Sequence, residues 1–271
     1  MTKSGIYLIN KPKGITSHDV VGYLRKVTGE KTIGHAGTLD PLASGLMIVA
    51  IGREFTKRIS EFSKLDKAYT AEATLGATST TYDSEGVITQ HLRHSGEADR
   101  NRLTPESYNN QSTRSWTSQD DEVRKISSVQ DDGKKARNDN CAPNVEEIES
   151  ILQSFIGQQE QMPPIFSAKK VKGQKAYDLA RQGKPVELKP VVVTIYQTEL
   201  INYQYPILKF RVKVSSGTYI RSLVHDLGQK LGIGAYMSEL IRNTIGEHQL
   251  SRAVDLDQIK SAADLKPAQI S

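Results

Sequence analysis

A single cysteine, Cys141, occurs in 271 residues, which excludes an internal disulfide and any metal site built from several thiolates of one chain. Aromatic residues are sparse, at 6%, and tryptophan occurs once, as Trp116. No apolar run approaches the roughly 20 residues a helix needs to cross a bilayer. Residues 1–13 lack the apolar centre of a secretory signal. These absences exclude a disulfide-stapled scaffold and a helical membrane protein, and they make the cytoplasm the natural compartment. Internal repeats are absent as well. The charge imbalance is small: 36 Lys+Arg against 31 Asp+Glu give a formal +5, compatible with an anionic partner without requiring one.

What is present is unevenly distributed. Residues 91–144 hold nine basic and nine acidic side chains, so the excess positive charge belongs to the rest of the chain. In the same stretch apolar periodicity disappears, and Ser, Thr, Asn and Gln make up about a third of it. Such a composition buries too little apolar surface to offset its ordering entropy. We read 91–144 as a polar, flexible insertion in which Trp116 is the only bulky outlier.

Elsewhere the patterns are regular. Ser17 followed by Val20, Val21, Leu24 and Val27, with Gly29 beyond, predicts a capped amphipathic helix. Tyr69, Ala71, Ala73 and Leu75 alternate with polar residues, as do Leu208, Phe210, Val212 and Val214, predicting strands buried on one face. The second strand turns Lys209, Arg211 and Lys213 to its other face, either a phosphate-binding surface or a solvated one. Asn144, with Glu147 three residues on, opens a helix carrying Ile148, Ile151, Leu152, Phe155 and Ile156. Residues 191–196 predict a strand and residues 176–182 a short helix. A polar turn at 215–219 opens a helix with Ile220, Leu223, Val224, Leu227 and Leu231 on one side, closed by Gly232.

Chemistry concentrates in Gly34-His35-Ala36-Gly37-Thr38-Leu39-Asp40-Pro41-Leu42-Ala43-Ser44-Gly45. The Asp-Pro step pushes Asp40 away from helical backbone angles, and the glycines let another backbone or a ligand come close. The apolar run 46–51 that follows predicts a buried strand, so a carboxylate is presented from a rigid base. An aspartate beside a proline also often only caps a turn. Arg221 falls in the first turn of its helix, where the dipole disfavours a cation. A buried carboxylate would justify it, because a guanidinium holds a carboxylate bidentately and keeps it ionised. Asp40 is the candidate partner, with a surface arginine as the alternative.

Several segments together resemble one family, the bacterial tRNA pseudouridine-55 synthases called TruB. Ile9-Asn10-Lys11-Pro12-Lys13-Gly14-Ile15-Thr16-Ser17 is similar to its opening motif and residues 34–45 to its catalytic motif. Asp66-Lys67-Ala68-Tyr69 resembles the motif with its active-site tyrosine. Pro163-Pro164-Ile165-Phe166-Ser167-Ala168-Lys169 resembles a further family stretch, and Gly217-Thr218-Tyr219-Ile220-Arg221 its late arginine motif. The resemblance covers residues 5–90 and about 145–250, in order.

It implies an α+β catalytic domain, a twisted and largely antiparallel sheet flanked by helices, that isomerises one uridine of the tRNA T-loop without cofactor or metal. Carried over residue by residue, Asp40 matches the catalytic aspartate, Arg221 its paired arginine, and Tyr69 the ring that stacks on the base. His35, Tyr219 and Leu240 match positions around the nucleotide. Asp83 matches the second acid of the family's stretch after the tyrosine strand, and if that acid helps hold Arg221 the network survives. Lys169, with Lys170, Lys172 and Lys175, is expected to meet T-arm phosphates. The expected partner is tRNA, bound by a monomer.

Two departures stand out. The threonine-aspartate-threonine stretch after the tyrosine strand appears as residues 78–83 with its first aspartate replaced. Only about 20 residues follow Leu250, so 251–271 is expected as a short tail, with the family's C-terminal RNA-binding domain absent or vestigial. Two rival readings remain: a non-catalytic tRNA-binding module, and a hydrolase using Asp40 and Asp83 as an acid and base pair.

Overall fold

Residues 46–51 lack polar interruption because their strand is covered on both faces. The computed structural model describes residues 4–91, 142–167, 170–171, 174–175 and 188–270. In it, β3 (Ala43–Ile51) lies between β1 (Gly5–Lys11) and β12 (Ala235–Ile245), antiparallel to the first and parallel to the second. Met47, Val49 and Ile51 join one core with Tyr7 and Ile9, while Leu46, Ile48 and Ala50 join a second with Ile6 and Leu8. A strand buried on both faces reads as a continuous apolar run.

The first core takes the apolar stripes of α1 (Ser17–Thr28), α3 (Val145–Gln153) and α4 (Ile220–Lys230). The second takes Phe62 of α2 (Arg53–Ser63). β2 (Ile33–Ala36) pairs with the outer part of β3. Beyond β12 the sheet continues antiparallel through β4 (Lys67–Leu75), β11 (Ile207–Val214), β10 (Val191–Gln204) and β7 (Gly157–Gln161). β4 and β11 alternate buried with less buried positions as their period-two patterns predict. Arg211 on the open face of β11 pairs with Glu199 at 2.8 Å. Two small hairpins lie off this sheet, β5 (Ala77–Ser79) with β6 (Ile88–Gln90) and β8 (Lys170–Val171) with β9 (Gln174–Lys175). The α+β expectation holds.

Local chemistry corrects several boundaries. Thr16, not Ser17, caps α1, exchanging hydrogen bonds with Asp19 in a capping box. Asn144 caps α3 by accepting from the Glu147 amide. α3 ends at Gln153, so Ile156 lies beyond it and is 45% exposed. The strand expected at 191–196 runs on to Gln204. Residues 251–270 do not trail away. β14 (Val254–Asp255) and β15 (Gln269–Ile270) both pair with β1, and Leu256, Ile259 and Leu265 are buried in the first core. The segment needs no core of its own because it completes the existing one.

Contacts divide the chain into one unit of Met1–Leu92 with Ala142–Ser271 and a second of Arg93–Cys141. Apart from its two ends, the expected insertion lies outside the described residues, as do Trp116, Cys141 and the helix expected at 176–182.

Candidate active site

Asp40 is fixed by contacts on either side of it along the chain. The Ser17 hydroxyl donates to the Leu39 carbonyl at 3.0 Å and accepts from the Leu39 amide at 2.8 Å. This is why Ser17 is not free to cap its own helix. After Asp40, the Ala43 amide donates to the Asp40 carbonyl and the Gly14 amide to the Pro41 carbonyl. The loop from β1 to α1 and the Asp40 loop are thereby strapped together. Lys11, fully buried at the end of β1, donates to the carbonyls of Pro12 and Ile15. Burial lowers its pKa to about 8, against the opposing pull of Asp40.

Arg242 holds the same loop from below, and nothing in the sequence singled it out. It is 1% exposed, and it donates to the carbonyls of Leu46, Gly37 and Thr38 at 2.7, 3.2 and 3.4 Å. Its backbone passes so near β3 that a Cβ on Gly45 would meet the Arg242 carbonyl oxygen at 2.5 Å. Gly45 also has φ +109°, so only glycine fits there.

Arg221 projects from the first turn of α4 between two carboxylates. Its Nε lies 2.9 Å from Asp40 Oδ2 and its Nη1 3.2 Å from Asp83 Oδ2. Nη1 also donates to the Thr81 carbonyl and Nη2 to the Phe166 carbonyl, at 3.1 and 2.9 Å. Four acceptors compensate the misplaced cation. The N-cap residue of α4, Tyr219, provides no side-chain cap. Gln161 serves instead, accepting from the Tyr219 amide and donating to its carbonyl at 2.8 and 3.0 Å.

Asp83 stands behind the guanidinium, 2% exposed, and Thr81 Oγ and the Glu85 amide donate to its second oxygen. Asp40 is open to the cavity, with its side chain 36% exposed. Its pKa nevertheless lies above the ordinary aspartate value. Burial raises it most, Arg221 opposes, Asp83 raises it further, and Lys11 opposes. The ion pair expected with Arg221 is present, but desolvation in a concave wall raises the Asp40 pKa more than the guanidinium lowers it.

Asp40 and Arg221 line a cavity of about 310 Å³ together with Tyr69, Tyr219, Leu240, Lys67 and Arg242. That is at the lower end of small-ligand pockets, roughly 300–1,000 Å³. Tyr69 is 8% exposed near the start of β4 and faces this cavity. Lys67 anchors the end of α2 by donating to the Ser63 and Leu65 carbonyls, and burial followed by Arg242 lowers its pKa to about 8. The cavity wall formed by the described residues includes neither Asp83 nor His35, which sits half-buried on β2 with its pKa lowered mainly by burial. Lys169 lies outside the described residues, as do the side chains of Lys170, Lys172 and Lys175. Asp40 is the single carboxylate of the described wall, and Arg221 separates it from Asp83. An acid and base pair facing each other across a sugar is incompatible with that arrangement.

The family described as "TruB family pseudouridylate synthase (N terminal domain)" matches residues 25–139 and 107–220. The "tRNA pseudouridylate synthase B C-terminal domain" matches residues 221–268. A tRNA pseudouridine synthase B of Protochlamydia amoebophila is 40% identical over 262 residues, 97% of this chain and 82% of that protein. One of Dehalococcoides mccartyi is 38% identical over 258 residues, 95% of this chain and 70% of that protein. Among solved structures, a chain of a Cbf5-Nop10-Gar1 complex superposes with a TM-score of 0.60 at 23% identity, over 95% of this chain and 54% of that one. A chain of the archaeal box H/ACA sRNP Nop10-Cbf5 complex does so with a TM-score of 0.57 at 21% identity, over 96% and 53%. The chain thus spans about half the length of those structural neighbours, and the likeness establishes the fold. Taken with the arrangement of Asp40, Tyr69 and Arg221, these matches place the chain in the TruB family of pseudouridylate synthases.

Proposed function

We propose that the protein isomerises the uridine at position 55 in the T-loop of tRNA to pseudouridine, using Asp40 and no cofactor. The supporting observation is the ion pair of Asp40 with Arg221 beside the Tyr69 ring in a nucleoside-sized cavity. In the reaction the bond from N1 to C1′ breaks, the uracil turns, and a bond from C5 to C1′ forms. C5 loses its proton and N1 gains one, so substrate and product are isomers and no redox equivalent is consumed. Asp40 acts on the base at C6, on the ribose at C1′, or as a base toward the C2′ proton. Each role requires the ionised carboxylate, which Arg221 favours against the effect of burial.

A base inside folded RNA must be everted before it can be reached, which costs a few kcal/mol. Stacking on Tyr69 offsets part of this, since base–aromatic stacking is worth about 1–3 kcal/mol. In this reading the Tyr69 hydroxyl also takes part in proton transfer. The roles of Tyr219 and Leu240 in this reading are to line the nucleotide, and that of Asp83 is to hold Arg221. Lys169 and its neighbouring lysines contact T-arm phosphates, giving an affinity that falls with salt. The protein acts on tRNA as a monomer.

The test is tritium release from tRNA labelled at C5 of uridine, followed by mapping of the modified position. Release at position 55 supports the proposal. Tight binding without release supports a tRNA-binding module instead, and release from another position removes the T-loop assignment.

A further inference from the structure

We propose that His225 and Tyr82 form a positioning pair that keeps Arg221 on Asp40, an inference that rests on the catalytic reading of Asp40. Neither residue lines the described cavity wall. Their rings stack face to face, with centroids 4.0 Å apart and planes 15° from parallel. His225 is one helical turn beyond Arg221 on α4, so the two side chains share a face. Tyr82 lies between Thr81 and Asp83, the two residues of its loop that hold Arg221 Nη1.

The backbone of Tyr82 explains why it needs a partner. Its φ of +64° is the one left-handed value among the described non-glycine residues, a conformation that disfavours an L side chain and persists only where its surroundings enforce it. The turn it makes aims the Thr81 carbonyl and the Asp83 carboxylate at one guanidinium. The Met237 amide, donating to the Tyr82 carbonyl at 2.9 Å, fixes the loop from the sheet side. The stack fixes it from the helix side. Among the described residues His225 Nδ1 is buried with no hydrogen-bond partner, so at this atom no described group competes with the stacking contact. Without that contact the loop relaxes, Arg221 follows Asp83, and Asp40 loses part of its counter-charge.

The experiment compares wild type with His225→Ala, His225→Phe and Tyr82→Gly in single-turnover tritium release, normalised to folded protein. Wild-type turnover tests the catalytic reading itself, and the variants are judged against it. His225→Ala should lose roughly 10-fold or more in rate at saturating tRNA, as slight misplacement of a reacting group does, with little change in KM. Tyr82→Gly removes the ring while relieving the left-handed strain and should show the same loss, which keeps the test usable if the alanine variant folds poorly. His225→Phe should restore the rate by restoring the stack.

The acid limb of the rate profile supplies a readout that a merely structural role would leave in place. Among the described residues the charged groups coupled to Asp40 are Arg221 from α4, Asp83 and Glu85 from the loop after β5, and Lys11 from β1. Drawing Arg221 away moves the limb to higher pH. Wild-type rates and an unmoved limb in both the alanine and glycine variants would overturn the proposal, as would a phenylalanine variant no better than the alanine one.

Discussion

Ser17 holds Leu39 at both its amide and its carbonyl through one hydroxyl, 22 residues apart in sequence. The residue next to Leu39 is Asp40, so the helix that begins at Ser17 is tied directly to the loop that carries the Asp40 carboxylate. Removing the hydroxyl leaves a buried donor and a buried acceptor without partners. Ser17→Ala should therefore destabilise by about 1–3 kcal/mol, read by urea denaturation. Its turnover should fall further than the lost folded fraction explains.

Asp40→Asn should abolish tritium release, by at least roughly 1,000-fold or about 4 kcal/mol of barrier, while tRNA binding by filter retention stays near wild type. Substantial turnover in this variant would remove Asp40 from its role. Tyr69→Phe should lose about 100-fold, the lower range for a group in proton transfer, and should keep its affinity because the ring remains.

The pH dependence follows from the direction of the Asp40 shift. Its pKa is raised by burial above the model-compound value of 3.8, so turnover should fall on acidification at a pH higher than an ordinary aspartate would give. A raised carboxyl pKa means that folding favours the protonated form. That contribution to stability is complete below the unfolded value and is lost as pH rises through the folded one. Asp40→Asn should accordingly melt higher than wild type at neutral pH, with the difference shrinking toward pH 3, as scanning calorimetry across pH would show.

Asp83 raises the pKa of Asp40 and shares Arg221 with it. Asp83→Asn should move the acid limb of turnover to lower pH, because a repelling charge is removed and the guanidinium has one carboxylate left to serve. Asp83→Ala should in addition cost about 3 kcal/mol, the lower end for breaking a buried pair, since Asp40 still partners the arginine. A limb that moves upward in the asparagine variant would contradict the arrangement.

Gly45→Ala tests the close approach of β3 and β12. The added Cβ would overlap the Arg242 backbone at 2.5 Å, on a residue with φ +109°. The cost should be about 3 kcal/mol or more from overpacking and backbone strain together, enough to show as loss of soluble protein or as a large fall in denaturation midpoint.

Much of the secondary structure was legible because hydrophobic period reports directly on burial. β4 and β11 alternate because one face of each is less covered, and β3 does not alternate because both of its faces are buried. Asp40 and Arg221 were legible for a different reason, since each breaks a local rule: a carboxylate beside proline among glycines, and a cation at the wrong end of a helix. Such conflicts between local preference and observed residue mark places where something distant compensates.

The sequence by itself determined α1, α3, α4, β3, β4 and β11, together with the Asp40 loop and the family motifs. Only the tertiary structure decided what those motifs hold. That Gln161 caps α4, that Ser17 serves Leu39 while Thr16 caps the helix, and that residues after Leu250 close the sheet beside β1 all depend on partners far along the chain. Arg242 is the plainest case. Its neighbours in sequence say nothing of the carbonyls of Gly37, Thr38 and Leu46, about 200 residues away, and a hydrogen-bonding group acquires its meaning from the acceptors that folding brings within reach.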